Sequence, residues 1–349
     1  MPVGVPVLSS VGDDFAVFHT PLEIGATTRV VHDLKPASEY TIDGVTFATL
    51  ARPAGELFCI FATANDVHLG ETQCGVVGGT DIGPVYSAEP GDRPYPDVMN
   101  EAAIAEMKEL RDGRGPDHVV VKGDLTNSGT PDEYEAFLRF YGAAFGDRLT
   151  HVRGNHDSYE GQHLAPQGPQ RVDLAGVTIC LLDTTIPRKA SGQVPDEQLE
   201  WLDTVASDSR VPVLVMGHHP VWNLGGVKRS ADYFGINPDD SEALAELVNR
   251  RPIIRGYFAG HTHRNRVRRF PTTGDFRWVE VASVKDFPGA WAEYRVYESG
   301  IQQIFHRVSD PTALVWTEKT KNMYHGIYED YALGKITDRC FIISTAAPK

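Results

Sequence analysis

Cysteine is scarce in this chain and poorly spaced for cross-linking or metal capture. Its four residues, Cys59, Cys74, Cys180 and Cys340, lie far apart among 349. With no Cys-x-x-Cys pair, a thiolate zinc site and a dithiol redox motif are excluded. Cys59 and Cys180 sit inside apolar runs, where a buried free thiol is expected. Long hydrophobic runs are missing too, and none approaches the roughly 20 residues of a membrane span. The opening residues, MPVGVPVLSSVGDDF, lack a basic start followed by a long apolar segment. No signal peptide is read there, and a cytoplasmic location is the expectation. Basic charge is in short supply: 33 Lys and Arg against 47 Asp and Glu give a formal charge of -14 and a pI of 5.4. Such a balance argues against non-specific attraction to nucleic acid or anionic membrane. It leaves room for an anionic small substrate, because bound metal ions reverse the local charge. Internal repeats and low-complexity tracts are also absent.

What remains is ordinary globular material, 41% hydrophobic and 23% charged, long enough for one large domain or two modest ones. Residues 1–54 are β-rich, with β-branched and aromatic runs at 15–18 and 28–31 separated by Gly and Pro. Residues 34–40 are similar to a corner found in fibronectin-like sandwiches, but the segment is too short for a complete one. It is read as a small β appendage. A core domain is expected over 55–309, and 310–349 as a tail packed on it with one strand at 340–344.

Inside 55–309, short apolar runs of strand length alternate with helical spacing. The strands are expected near 56–61, 118–121, 149–152, 177–182, 211–216 and 253–258. The helices are expected over 97–110, from Pro131 to about Phe145, and over 195–206 and 241–248. Thr130-Pro131-Asp132-Glu133 carries a helix-start signal. After Arg264, runs at 276–284, 291–297 and 301–306 follow one another without helices. This order predicts an α/β core with parallel strands. Residues 70–96, rich in Gly, Pro and Asp, form an unusually long loop of the kind that is functional or mobile.

Five strand ends carry the chemistry. They are Asp66-Val67-His68, Gly123-Asp124, Gly154-Asn155-His156-Asp157, Gly217-His218 and Gly260-His261-Thr262-His263. Ligands gather at the carboxyl ends of strands in open α/β sheets. Asp, His and Asn are hard to intermediate donors that suit Zn, Mn, Fe or Co. Converging, they make a two-metal site, and Asp124, after a strand and a Gly, is the natural bridge.

This set resembles the calcineurin-like metallophosphoesterases, and most of all their class III cyclic-nucleotide phosphodiesterase branch. The similarity covers roughly 57–270. It implies a four-layer α/β/β/α sandwich with the site at one end of its strands. It implies that Asp66, His68, Asp124 and His263 hold one metal, and that Asp124, Asn155, His218 and His261 hold the other. His156 is implied to contact the phosphate and assist the leaving oxygen. Purple acid phosphatases carry a Tyr three residues after the bridging Asp; here Asn127 stands there, and His68 stands where that branch has Gly, which disfavours the purple reading.

The resulting expectation is an enzyme with two divalent or transition metal ions (Mn, Fe, Zn or Co). It would hydrolyse a small phosphodiester, such as a cyclic nucleotide, through a metal-bridging hydroxide. A phosphomonoesterase or nucleotidase shares the motifs; a nuclease and a non-catalytic metal-binding scaffold are the further alternatives. The oligomeric state is left open, a homodimer included. His219 is read as supporting its neighbour rather than as a ligand. Loop 222–237 is read as a cap over the pocket, and Arg264, Arg266, Arg268 and Arg269 as a solvated face.

Overall fold

Period-two alternation in the strands builds the molecule. The computed structural model describes residues 4–345, apart from 77, 79–81, 162 and 231. Parts of the two long loops, 70–96 and 222–237, thus lie outside the described residues. One six-stranded sheet runs in the order Leu149–Val152, His118–Lys122, Leu57–Ala64, Ala290–Tyr297, Gly300–Arg307, Phe341–Ser344. The other runs Gln170–Leu174, Val177–Leu181, Val213–Met216, Ile254–Ala259, Trp278–Glu280, Arg266–Arg268.

Phe61, Val120, Val152, Ile179, Leu181, Leu214, Met216 and Phe258 point inward and fill the space between the sheets. Their neighbours turn outward. Ala62, Ala64, Val119 and Val121 meet Met99, Ala103 and Met107 of helix Tyr95–Gly113 and Phe137 of helix Pro131–Phe137. Cys180, Val213, Val215 and Tyr257 meet Leu199 and Leu202 of helix Asp196–Asp208 and Leu244, Leu247 and Val248 of helix Pro238–Arg250. The result is a four-layer α/β/β/α sandwich. Each large side chain so buried contributes about 1.5–3 kcal/mol.

The parallel expectation holds for one run of strands in each sheet. Val177–Leu181, Val213–Met216, Ile254–Ala259 and Trp278–Glu280 are mutually parallel. So are Leu149–Val152, His118–Lys122 and Leu57–Ala64. The strands after residue 290 join antiparallel, as hairpins permit without crossover helices. Only Trp278–Glu280 of the run 276–284 is a strand. Val281 and Ala282 are apolar because they are buried in a loop, where their carbonyls accept from Asn65 Nδ2 at 3.0 and 3.2 Å.

Residues 7–48 form the β appendage: a three-stranded antiparallel sheet, Val7–Val11, Ala16–Pro21 and Ala26–Val31, and a hairpin, Glu39–Ile42 with Val45–Ala48. Leu8, Val11, Phe18 and Phe47 pack against Ile304 and Phe305. Tyr40 accepts a hydrogen bond from Lys35 N at 2.7 Å, which closes the corner at 34–40. The last strand, Phe341–Ser344, extends the first sheet. Between it and residue 310 stand helices Pro311–Thr320, Tyr328–Leu333 and Ile336–Arg339, where the sequence reading placed none.

Candidate metal centre

Each motif occupies the turn at the carboxyl end of its strand, and several residues there leave the usual backbone regions. Asp66, His68, Asp124, His261 and His263 have φ of 52°, 43°, 49°, 67° and 52°. Left-handed backbone disfavours a Cβ, and Asp and His tolerate it better than most residues. Bonds between turns hold them there: Val67 N and His68 N both donate to Asp124 O, at 2.9 and 3.0 Å. His261 N donates to Asp66 Oδ2 at 3.0 Å. The motif glycines permit this approach. A Cβ on Gly260 would stand 2.7 Å from Asp66 Oδ2, and one on Gly154 would run into Asp124 Oδ1.

The structure brings all eight expected side chains together. Asp124 Oδ2 lies 3.2 Å from His218 Nε2 and 3.5 Å from His68 Nε2. Asp66 Oδ1 lies 3.5 Å from His263 Nε2. Asn155 Oδ1 lies 3.0 Å from His218 Nε2. The His218 and His261 rings are 5.1 Å apart, those of His68 and His263 5.4 Å. Asp66, His68 and His263 present ligand atoms within 4.8 Å of one another, as do Asp66, Asp124 and His218. Asp124 also groups in this way with His68 and His156.

Polar atoms without partners mark the same place. Both ring nitrogens of His68 and Nε2 of His261 are buried without a hydrogen-bond partner. Such orphans are costly unless something fills the gap. The donors are imidazole, carboxylate and amide, with no thiolate, which fits two ions of the Mn, Fe, Co or Zn type.

Electrostatics agree. Burial, and then the neighbouring His156, push His68 down to about 4. Burial and His219 hold His261 well below its ordinary value. Both rings are therefore neutral, with lone pairs to give. Burial opposes charge on Asp124, but His218 and His156 outweigh it and keep the carboxyl well below the usual range. On His218, burial is outweighed by Asp124, raising it to about 9. On His263, Asp66 and then Asp286 outweigh burial and raise it to about 10. Cations binding here would take the place of those two protons.

A second layer of side chains orients the first, and the sequence reading missed most of it. His218 Nδ1 donates to Lys122 O at 2.9 Å, which turns Nε2 toward Asp124 and Asn155. His263 Nδ1 faces Asp286 Oδ2 at 3.2 Å, and Asp286 in turn accepts from Tyr328 at 2.8 Å and from Ser283. Lys285 bridges Glu71, at 2.7 Å, and Asp286, at 3.3 Å. Asn65 donates to Asp66 at 2.5 Å and accepts from the buried Lys122 Nζ at 2.6 Å. Asp157 ties two turns together by accepting from Thr126 N and Gly154 N at 2.9 and 2.7 Å. Asp157 closes its own motif, Asn65 and Glu71 lie beside the first one, and all three could have been suspected. Asp286 lies outside any motif, and nothing local distinguishes it.

His156 is half-buried, and its Nδ1 donates to Asn127 O at 2.7 Å, which leaves Nε2 free. His219 is closer to the donor cluster than expected. Its Nδ1 meets Thr184 Oγ1 at 2.8 Å, yet Nε2 is buried without a partner and groups with His218 and His261. Phe234, from loop 222–237, lays its ring 3.9 Å from that of His261 and is 54% exposed.

The solvated basic face holds for only half of its members. Arg264 and Arg268 turn onto the buried Glu280 at 2.8 and 3.1 Å, and Arg268 is itself buried. A carboxylate sealed in the interior needs such counter-charge. Arg266 and Arg269 are exposed.

Known proteins are similar to this chain. A probable cyclic nucleotide phosphodiesterase of Synechococcus is 30% identical over 172 residues, 48% of this chain and 65% of that protein. The glycerophosphodiester phosphodiesterase GpdQ of Enterobacter lignolyticus is 29% identical over 177 residues, 47% of this chain and 61% of that protein. The chain thus spans a little under two thirds of the length of these relatives. Among solved structures, a dimetal phosphatase from Danio rerio shares the fold with a TM-score of 0.54 at 16% identity, covering 73% of this chain and 98% of that one. The calcineurin-like phosphoesterase model matches residues 61–265, which include every candidate ligand, and the chain belongs to that family.

Proposed function

We propose that this chain is a metal-dependent hydrolase of small phosphodiesters, working with two metal ions. Asp66, His68, Asp124 and His263 would hold one ion, and Asp124, Asn155, His218 and His261 the other. The observation that carries the reading is Asp124, a buried carboxylate shared between His68 on one side and His218 on the other. When bound, the ions supply Lewis acidity toward phosphoryl oxygens and lower the pKa of water.

The chain's own residues do the rest. Asp66 and Asp124 bring anionic charge to a dry site and orient the imidazoles around it. His156, its Nδ1 committed to Asn127 O, presents Nε2 to the phosphoryl group and the departing oxygen. Phe234 walls the open side with an exposed ring, which suits a flat organic substituent on the phosphate. The phosphodiesterase names of the relatives support a diester over a monoester.

The test is hydrolysis of bis-p-nitrophenyl phosphate against p-nitrophenyl phosphate after reconstitution with Mn, Fe, Co or Zn. The diester is expected to react faster. Asn155→Ala is expected to lose on the order of 100-fold in kcat. Equal rates for wild type and Asn155→Ala, at any metal, would overturn the reading.

A further inference from the structure

At the end of the sandwich away from the metal centre, a cavity of about 610 Å³ opens between the second sheet and the final strand. Arg255, Arg269 and Arg277 line it, together with Asn249, Phe276 and Ile342. Arg255 lies at the start of strand Ile254–Ala259, whose other end leads to His261. Arg277 directly precedes the parallel strand Trp278–Glu280. The cavity therefore faces the opposite way from the candidate ligands.

The three guanidiniums are short of partners. Arg255 Nη2 donates to Thr345 O at 3.1 Å, while its Nε is buried with no acceptor. Arg277 Nη1 donates to Ile342 O, and its guanidinium lies 4.6 Å over the Phe341 ring. Arg269 is exposed. Among the described residues, none of the three has a carboxylate within 4.0 Å; the buried Arg153, Arg268 and Arg307 each have one, while the buried Arg339 has none and bonds Leu8 O instead. Asp275 is the one acid in the lining. Burial, followed by repulsion from Arg269, pushes Arg277 down to about 10. In a chain of net charge -14 acids are plentiful, yet none is paired with these three.

Tying the last strand to the second sheet accounts for one N–H each of Arg255 and Arg277, and for nothing at Arg269. A guanidinium carries five donors in a fork that matches phosphate oxygens. The cavity is also within the roughly 300–1,000 Å³ usual for small-molecule sites. We propose that this cavity binds a small organic anion bearing a phosphate, gripped by Arg255, Arg269 and Arg277, with Phe276 and Ile342 against its organic part. The site is separate from the metal centre and does not depend on the catalytic reading.

Calorimetric titration of the metal-loaded full chain with 5′-AMP, and separately with inorganic phosphate, tests it. Saturable binding of 5′-AMP is expected, tighter than that of phosphate alone because of the apolar wall. Arg269→Gln is expected to weaken it about 10- to 100-fold, the worth of one charge-assisted contact. Arg269 is exposed and, among the described residues, has no hydrogen bond or ion pair, so the variant keeps its fold, which an unchanged rate on bis-p-nitrophenyl phosphate will verify. An Arg269→Gln/Arg277→Gln double variant is expected to bind more weakly still. If 5′-AMP binds Arg269→Gln as tightly as wild type, or binds neither, the proposal fails.

Discussion

A single carboxylate illustrates what decides this site at the scale of residues. Asp286 touches His263 and is fixed by Tyr328, Ser283 and Lys285. A partner of this kind sets the tautomer and direction of a ligating imidazole, and losing it costs about 10- to 100-fold in metal affinity. Asp286→Asn keeps the shape and removes the charge. It is expected to lower metal affinity by about that factor in a chelator competition, with kcat largely restored at saturating metal. A variant with wild-type affinity would remove Asp286 from this role. The candidate ligands themselves were legible because Asp, His and Asn recur at strand ends with characteristic spacing. Asp286 was not, since its role exists only once residues 263, 286 and 328 meet. His219 was read as supporting its neighbour, and what adjacency did not announce is that the turn after Val213–Met216 places both rings near His261.

Elements were legible where local chemistry sets them. Thr130 caps its helix as its neighbours suggested, exchanging hydrogen bonds with Glu133 in a capping box. Beyond Phe137 that helix widens into a π turn, Leu138–Gly142, which no local signal announces. Helix Pro311–Thr320 did carry a start signal, Asp310 followed by Pro311, and the Asp310 side chain accepts from Thr312 N and Ala313 N. That signal was passed over because the tail was read only as a covering strand. Strand Ala290–Tyr297 shows an energetic consequence of pairing. Its Glu293 is buried between His306 and Arg295 at 2.9 and 2.6 Å. Burial favours the neutral acid, but His306 and Arg295 outweigh it and hold Glu293 down to about 2, from an ordinary value of 4.5. A depressed acid adds stability above its unfolded pKa and loses it as pH falls through the folded one. The drop between about pH 4.5 and 2 is worth roughly 3 kcal/mol. Urea unfolding of Glu293→Gln should show a flatter acid limb than wild type across that window; identical limbs would assign the acid sensitivity elsewhere.

For the whole molecule, layering was legible and strand order was not. Alternating apolar residues such as Phe61 and Ala62 announce a sheet covered on both faces. Nothing local says that Ala290–Tyr297 docks beside Leu57–Ala64, more than 200 residues earlier in the chain. Nor does anything local say that the tail reaches the metal centre, where Tyr328 bonds Asp286 and Trp316 Nε1 donates to Lys285 O at 2.9 Å. The molecule is thus stitched end to end. Arg295 reaches Asp13 at 3.3 Å and Arg339 donates to Leu8 O at 3.1 Å, so the N-terminal appendage leans on both the last hairpin and the tail.

Five of the proposed ligands sit on left-handed backbone. Each such residue disfavours the fold by about 1–2 kcal/mol, and together they approach the net stability of a typical domain. Without cations to reward that posture, the turns around 66–68, 124 and 261–263 become the places where the molecule breathes first, while the sandwich beneath stays shut. Amide deuterium uptake should therefore quicken at those turns after chelation, with strands Leu57–Ala64 and Val213–Met216 unchanged. Uniform uptake over sheet and turn alike would mean that the ions stabilise the whole molecule rather than its rim.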